Sequence, residues 1–231
     1  GRATGGRGDE GVGERPRRGC ARTPVGTYGG ACRGVPATEL GGIAEKGALE
    51  RATVAPDRID QVIFGNGLQT SGDAVYHARH VGLKSGVPKE APALTINRLC
   101  GSGLQAILLG AQEIQLGQAN FVLAGGAEAM SMAPHMIRGA RWGLPLGEQK
   151  LEDANLVDGL VDAYGHGHMG LGGELGAEQC GLGREGEEGV GRGAGGEGAR
   201  RTGRGALEGG GAERRSGGSA GAGCDRRMAG G

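Results

Sequence analysis

Apolar residues recur with regular spacing only between residues about 21 and 170. Leu40, Ile43, Ala44 and Leu49 share one helical face and predict a helix over Thr38 to Arg51, with Thr38 as its N-cap. Gln61-Val62-Ile63-Phe64-Gly65 is a short apolar run ended by glycine and predicts a buried strand. Ala74 to Lys84 predicts a second helix, and Pro88 and Pro92 punctuate the approach to a strand over Ala93 to Leu99. Leu104, Ile107, Leu108 and Ala111 then recur at i, i+3, i+4, i+7 and predict a helix to about Leu116. Asn120 to Ala124 reads as another buried strand, closed by Gly125-Gly126. Strands alternating with helices over short links predict an α/β fold, a parallel or mixed sheet covered by helices. From Met130 to Met169 the pattern loosens into an irregular excursion, with one short helix expected near Ala154 to Tyr164.

Outside that central part the composition changes. Gly is 55 of 231 residues, about 24% against about 7% in average usage. Residues 1 to about 20 lack Leu, Ile, Phe, Tyr and Trp, and residues about 171 to 231 lack Ile and every aromatic. Such segments bury too little apolar area to offset their ordering entropy, so both ends are expected to be disordered. The tail has neither the Gly-X-Y period nor the proline of collagen, and its arginines are matched by acids. The formal net charge is zero, which gives no reason to expect nucleic acid or an anionic membrane as partner. No apolar run approaches the roughly 20 residues of a membrane span, and no signal peptide is legible at the N-terminus. Cys20, Cys32, Cys100, Cys180 and Cys224 are scattered without a paired spacing, which fits reduced thiols and a cytoplasmic location. The first residue is Gly, and the chain is expected to be a fragment or a processed product.

The chemistry concentrates at Ile96-Asn97-Arg98-Leu99-Cys100-Gly101-Ser102-Gly103-Leu104. A strand feeding a helix through small residues puts the Cys100 thiol beside the first unpaired N–H groups of that helix. Those donors and the helix dipole favour a thiolate, the reactive nucleophile of covalent acyl chemistry. Local sequence also allows a small buried cysteine packed where strand meets helix.

The wider context resembles the N-terminal part of the thiolase family. Arg22-Thr23-Pro24-Val25-Gly26 with Gly29-Gly30 is similar to the family's opening. Gly65-Asn66-Gly67-Leu68-Gln69 and Ala78-Arg79 follow where the family has similar residues. Asn97-x-x-Cys100-Gly101-Ser102-Gly103-Leu104 matches the active-site signature, and Gly125-Gly126-Ala127-Glu128-Ala129-Met130-Ser131 follows at the right distance. Asp158-Gly159-Leu160 and His168-Met169-Gly170 resemble the loop region that contacts coenzyme A, which would begin within residues 130–170. The last of these is more like the short-chain, acetoacetyl-CoA-type members.

The resemblance covers residues about 21 to 170 and implies the N-terminal half of a thiolase-like fold. It implies an acyltransferase that condenses acetyl-CoA to acetoacetyl-CoA, or runs the reverse thiolysis, through an acyl-cysteine on Cys100. The Cys100 backbone N–H would be an oxyanion donor, and His168 and Met169 part of the acyl and pantetheine pocket. No cofactor or metal is implied; acetyl-CoA or another acyl-CoA is substrate, and full-length members are dimers or tetramers.

Several family features are missing. The Gly-His-Pro histidine, the Cys-x-Gly second cysteine and the Asn-Glu-Ala-Phe asparagine have no counterpart, and Gly165-His166-Gly167 is no substitute. The opening strand, expected as a central strand of the sheet, is replaced by Arg-Pro-Arg-Arg at residues 15–18. Out-of-frame reading of a GC-rich gene would account for both ends. Alternative readings are a catalytically dead thiolase fragment and a ketoacyl-synthase relative. Half a fold would also expose apolar surface, so poor solubility is expected.

Other candidates read as structural. His77 and His80 stand three apart on a predicted helix without a third ligand and are expected to face solvent. Met130, Met132 and Met136 are expected to fill space. Gly65-x-Gly67 lacks the remaining features of a dinucleotide fingerprint. Glu128 is expected to hold a loop at a sheet end.

Overall fold

The computed structural model describes residues 19–165, 167–181, 183, 185, 186 and 189. Its centre is the run Gln61–Gly65, strand β1, in which Val62, Ile63 and Phe64 are each only 1% exposed. A strand apolar on both faces must be covered on both, and it is. β1 pairs in parallel with β2 (Ala93–Ile96) on one side and with β3 (Val122–Gly126) on the other, giving the order β2-β1-β3.

Helix α1 (Ala37–Ala52) and helix α2 (His77–Lys84) cover one face; helix α3 (Ser102–Gln115) covers the other. The connection β1-α2-β2 steps outward along the sheet, and β2-α3-β3 steps back across β1. Right-handed crossovers running in opposite directions place their helices on opposite faces. The core joins Leu49 of α1, Ala78 and Val81 of α2, Val62 and Phe64 of β1, and Leu123 of β3.

The three strands are contiguous, because β1 bonds directly to both neighbours. No central strand is missing between them, which corrects the expectation for the opening segment. The outer edges of β2 and β3 are the open ones among the described residues.

Local boundaries differ from the sequence pattern for identifiable reasons. Helix α1 starts one residue early, behind Pro36, and Thr38 does not cap it; the Thr38 hydroxyl instead donates to Asp73 Oδ2 at 2.7 Å. The predicted Ala74–Lys84 helix begins with a 3-10 turn, Ala74–Tyr76, before α2. The strand at Ala93 stops at Ile96, because Leu99 turns into the left-handed region with φ 46° and a 3-10 turn, Leu99–Gly101, precedes α3. Gly125 and Gly126 belong to β3 rather than closing it, in register with Phe64 and Gly65.

His77 and His80 do not both face solvent. His80 is half-buried, with Nδ1 3.1 Å from Asp73 Oδ2 and its ring stacked on Tyr76. Burial pushes the Asp73 carboxyl up, but the hydroxyls of Ser71 and Thr38 and the His80 ring outweigh it and hold it well below the usual range. His77 is fully buried, its ring 5.3 Å from that of Phe64 and both ring nitrogens without a partner among the described residues. The periodicity could not show this: α2 lies between α1 and β1, so its first turn is interior. Burial lowers the His77 pKa from 6.5 to about 4. The unfolded chain therefore binds the proton first, and stability falls as pH drops from 6.5 towards 4. His77→Leu is expected to remove that loss, about 2 kcal/mol at pH 5. Urea unfolding at pH 5 and pH 7.5 checks it; an equal effect at both would assign His77 a packing role alone.

After β3 the chain leaves the sheet. Strands β4 (His135–Met136) and β5 (Glu152–Asp153) form a short antiparallel ladder. Arg138 ties it down, donating to Glu152 at 2.8 Å and Asp158 at 2.9 Å. Met130, Met132 and Met136 are half-buried, as space-filling requires. The short helix expected near Ala154–Tyr164 is a π-helical turn, Leu156–Leu160. Residues 171–179, assigned by composition to a disordered tail, belong to helix α4, Met169–Gln179. Among the described residues no helix is long and apolar enough to cross a membrane.

Candidate active site

Cys100 stands where the carboxyl end of β2 turns into α3, and it is exposed. The turn is held from within. Asn97 Oδ1 accepts the Leu99 N–H at 2.9 Å, while Asn97 Nδ2 donates to the Gly67 carbonyl at 2.8 Å. Ser102 Oγ accepts the Arg98 N–H at 2.8 Å and donates to the Leu99 carbonyl at 2.6 Å. These side chains replace the ladder bonds that β2 loses on leaving the sheet. The neighbouring amides of Arg98, Leu99 and Gly101 all have acceptors; among the described residues none takes the Cys100 N–H.

Glycines let the start of α3 sit directly on the strand ends. A Cβ on Gly65 would lie 2.5 Å from the Ser102 carbonyl carbon, and one on Gly126 would lie 2.9 Å from the Gly103 Cα. Helix and sheet thus meet backbone to backbone, which fixes the height of Cys100 above the sheet.

The loops after the other two strands converge on the same end. Glu128, just beyond β3, accepts from the Gly67 and Leu68 amides at 2.7 and 3.2 Å and from Asn66 Nδ2 at 2.8 Å. Burial pushes the Glu128 carboxyl up, and these three donors only partly reverse it. Asn66 also donates to the Ala127 carbonyl, and its Oδ1 is buried without a partner among the described residues. Glu128 therefore holds the β1 loop, as expected for a sheet-end acid. Asn66 and Asn97 are the positioning residues that pattern reasoning did not single out; the signal available was two asparagines immediately after strands whose carboxyl ends lie side by side.

His168 and Met169 lie elsewhere on the chain's path. His168 caps α4, its Nδ1 accepting the Gly170 N–H at 3.1 Å, and its backbone bridges Val161. Met169 is exposed. Among the described residues no hydrogen bond joins either to Cys100. The link is indirect: Gly159 packs on Leu68, next to Gly67, which in turn packs on Leu99. His166 lies outside the described residues, as does Cys224; Cys20, Cys32, Cys100 and Cys180 are free. No group of three or more metal-ligating side chains occurs among the described residues.

The Cys100 thiol is thus exposed on a strand-to-helix turn beside its own backbone amide, which has no acceptor among the described residues. The model of the thiolase N-terminal domain matches residues 19–190. The chain belongs to the thiolase family.

That match runs past residue 170, where the sequence resemblance ends. The acetyl-CoA acetyltransferase of Cupriavidus necator is 46% identical over 168 residues, covering 73% of this chain and 42% of that protein. Human mitochondrial 3-ketoacyl-CoA thiolase is 54% identical over 144 residues, covering 62% and 36%. The crystal structure of human mitochondrial 3-ketoacyl-CoA thiolase in complex with CoA superposes with a TM-score of 0.70 at 48% identity, covering 73% of this chain and 43% of that one. The chain spans about two-fifths of the length of these relatives.

Proposed function

We propose that this thiolase-family chain carries the acyl-accepting half of a CoA-dependent acyltransferase. The observation that carries the reading is the unoccupied Cys100 amide beside an exposed Cys100 thiol. Cys100 Sγ, as thiolate, attacks the thioester carbonyl carbon of an acyl-CoA, and the thiol proton goes to solvent. The Cys100 N–H donates to the oxyanion that forms. Collapse breaks the bond to the coenzyme A sulfur, which leaves as a thiolate, and the acyl group stays on Cys100. A second acetyl-CoA would then be condensed to give acetoacetyl-CoA, or the sequence would run backwards as thiolysis. His168 and Met169 would contribute to the pantetheine pocket, and the working assembly would be a homo-oligomer. The names of the acetyl-CoA acetyltransferase and 3-ketoacyl-CoA thiolase relatives support the substrate class.

No side-chain base touches Cys100 among the described residues. The catalytically dead reading is therefore distinguished from the full one by the second step, not the first.

The test is acylation by acetyl-CoA, followed by release of free coenzyme A and mass spectrometry of the cysteine peptides. Acetyl transfer to Cys100 is expected roughly a hundredfold faster than to Cys20, Cys32 or Cys180, the usual scale of one preorganised oxyanion donor. Cys100→Ser is expected to abolish it. Equal labelling of all five cysteines would overturn the proposal. Turnover of acetoacetyl-CoA by this chain alone would remove the dead-fragment reading.

A further inference from the structure

Gly67 lies between Glu128 and the Cys100 turn. A Cβ there would be 3.0 Å from Glu128 Oε2 and 3.6 Å from the Leu99 Cα. The amides of Gly67 and Leu68 donate to the Glu128 carboxylate, one to each oxygen. Successive N–H groups that converge on one anion fix the peptide between them. The carbonyl of that peptide, on Gly67, accepts from Asn97 Nδ2, and Asn97 Oδ1 accepts the Leu99 N–H. An unbroken series of hydrogen bonds therefore runs from Glu128, through the Gly67–Leu68 peptide and the Asn97 side chain, to Leu99. Both amides in the series point their N–H groups towards the carboxylate, so they are aligned head to tail and polarise one another.

Leu99 is the residue this series has to hold. Its φ of 46° lies in the left-handed region, which a residue with a Cβ keeps only where its surroundings fix it. Its N–H is held by Asn97, and its carbonyl by Ser102 Oγ at 2.6 Å. The peptide that carries the Cys100 N–H begins at Leu99, so the Leu99 dihedrals set where that donor points. Ser102 ties the turn to α3; Asn97 ties it to the β1 loop, and Glu128 in turn fixes that loop. Both Glu128 oxygens are committed as acceptors, since Oε1 also takes Asn66 Nδ2. A glutamine would have to turn its amino group against Gly67 or against Leu68 and Asn66.

We infer that Glu128 is a positioning residue for acyl transfer, which sets the direction of the Cys100 N–H through Gly67, Asn97 and Leu99. Among the described residues no hydrogen bond joins Glu128 to Cys100 itself, so the carboxylate acts through the turn. This role rests on the proposed acylation of Cys100.

The experiment uses the whole 231-residue chain with Glu128→Gln, Asn97→Asp and the double variant. Asn97→Asp keeps the acceptor for Leu99 and removes the donor to Gly67, so it cuts the series in the middle. Acetyl transfer from acetyl-CoA to Cys100 is expected to slow at least about tenfold in Glu128→Gln, the scale of a misplaced group at a reacting centre. Alkylation of Cys100 by iodoacetamide should stay close to the wild-type rate, because it needs the thiolate but no oxyanion donor. Asn97→Asp should slow acetyl transfer similarly, and Glu128→Gln should add little to it, as expected for two residues in one series. Hydrogen exchange should quicken at the Leu99 amide in Glu128→Gln, while the β1 amides of Val62–Phe64 stay protected and show that the variant is folded. Wild-type Cys100 acetylated no faster than the other cysteines would remove the acyl reading, and this role with it. Where the wild type does acetylate, unchanged transfer or unchanged Leu99 exchange in Glu128→Gln would overturn this role alone. Equal slowing of acetyl transfer and alkylation, or losses that multiply in the double variant, would overturn it as well. Should Glu128→Gln fail to keep β1 protected, Asn97→Asp alone decides by the same comparison of transfer with alkylation.

Discussion

Replacing Glu45 with glutamine is expected to stabilise the chain by about 3 kcal/mol at pH 7 and by almost nothing at pH 4. The folded-state pKa of this buried carboxyl is raised, to about 8 from 4.5. A raised carboxyl pKa means that the folded chain holds its proton where the unfolded chain has lost it. Its contribution is therefore fully present below about pH 4.5 and is lost as pH rises towards 8. At pH 7 roughly 2.5 units of that interval have been crossed, at about 1.4 kcal/mol each. Glutamine keeps the volume and the polar end but has no proton to lose.

His77 contributes the opposite slope between 6.5 and 4, so the two nearly cancel over the shared interval, and stability should fall mainly above pH 6.5. Urea midpoints for the wild type and Glu45→Gln from pH 4 to pH 9 measure this. A stability difference that does not grow with pH would mean that Glu45 is ionised in the folded state.

Gly65→Ala is expected to damage stability and acyl transfer together. The new methyl would meet the Ser102 carbonyl carbon at 2.5 Å and the Gly103 nitrogen at 2.7 Å. Both are backbone atoms, so no rotamer change relieves the contact. Helix α3 must lift from β1, at a cost of about 3 kcal/mol, the upper range for overpacking. The lift also pulls on Ser102, whose hydroxyl ties Arg98 to Leu99 across the Cys100 turn. Acylation of Cys100 by acetyl-CoA should therefore slow at least about tenfold even at temperatures where the variant is folded. Gly72→Ala is the control, since nothing lies within 4 Å of a Cβ there. Thermal melts and acylation rates of both variants decide it. An unaffected acylation rate in folded Gly65→Ala would separate the helix seat from the chemistry.

Much of this is legible in the sequence. The uninterrupted apolar run Val62-Ile63-Phe64 announced a strand buried on both faces, and it proved central, between two parallel neighbours. The spacing of Leu104, Ile107, Leu108 and Ala111 placed a helix immediately after Cys100, and α3 covers that span. The same helix also shows where a pattern can mislead. Leu104 is 65% exposed, and Leu108 too is exposed. Amphipathic periodicity tells which residues share a face. It does not tell whether anything covers that face, and here the surface bearing Leu104 and Leu108 is bare among the described residues.

The sequence by itself determined the alternation of strands and helices, a parallel or mixed sheet covered by helices, and the cysteine at a strand-to-helix turn. Each follows from local spacing, because periods of 2 and 3.6 and the position of small residues are written along the chain. Only the tertiary structure decided that β1 bonds β3 with no strand between them, that His77 is interior, and that, among the described residues, Glu45 lies unpartnered at an open sheet edge. Those outcomes depend on which elements become neighbours in space, across distances along the chain as long as that between Val62 and Leu123. A single chain position carries no record of its long-range partners, so burial of a polar residue and the openness of an edge appear only once the helices have been laid against the sheet.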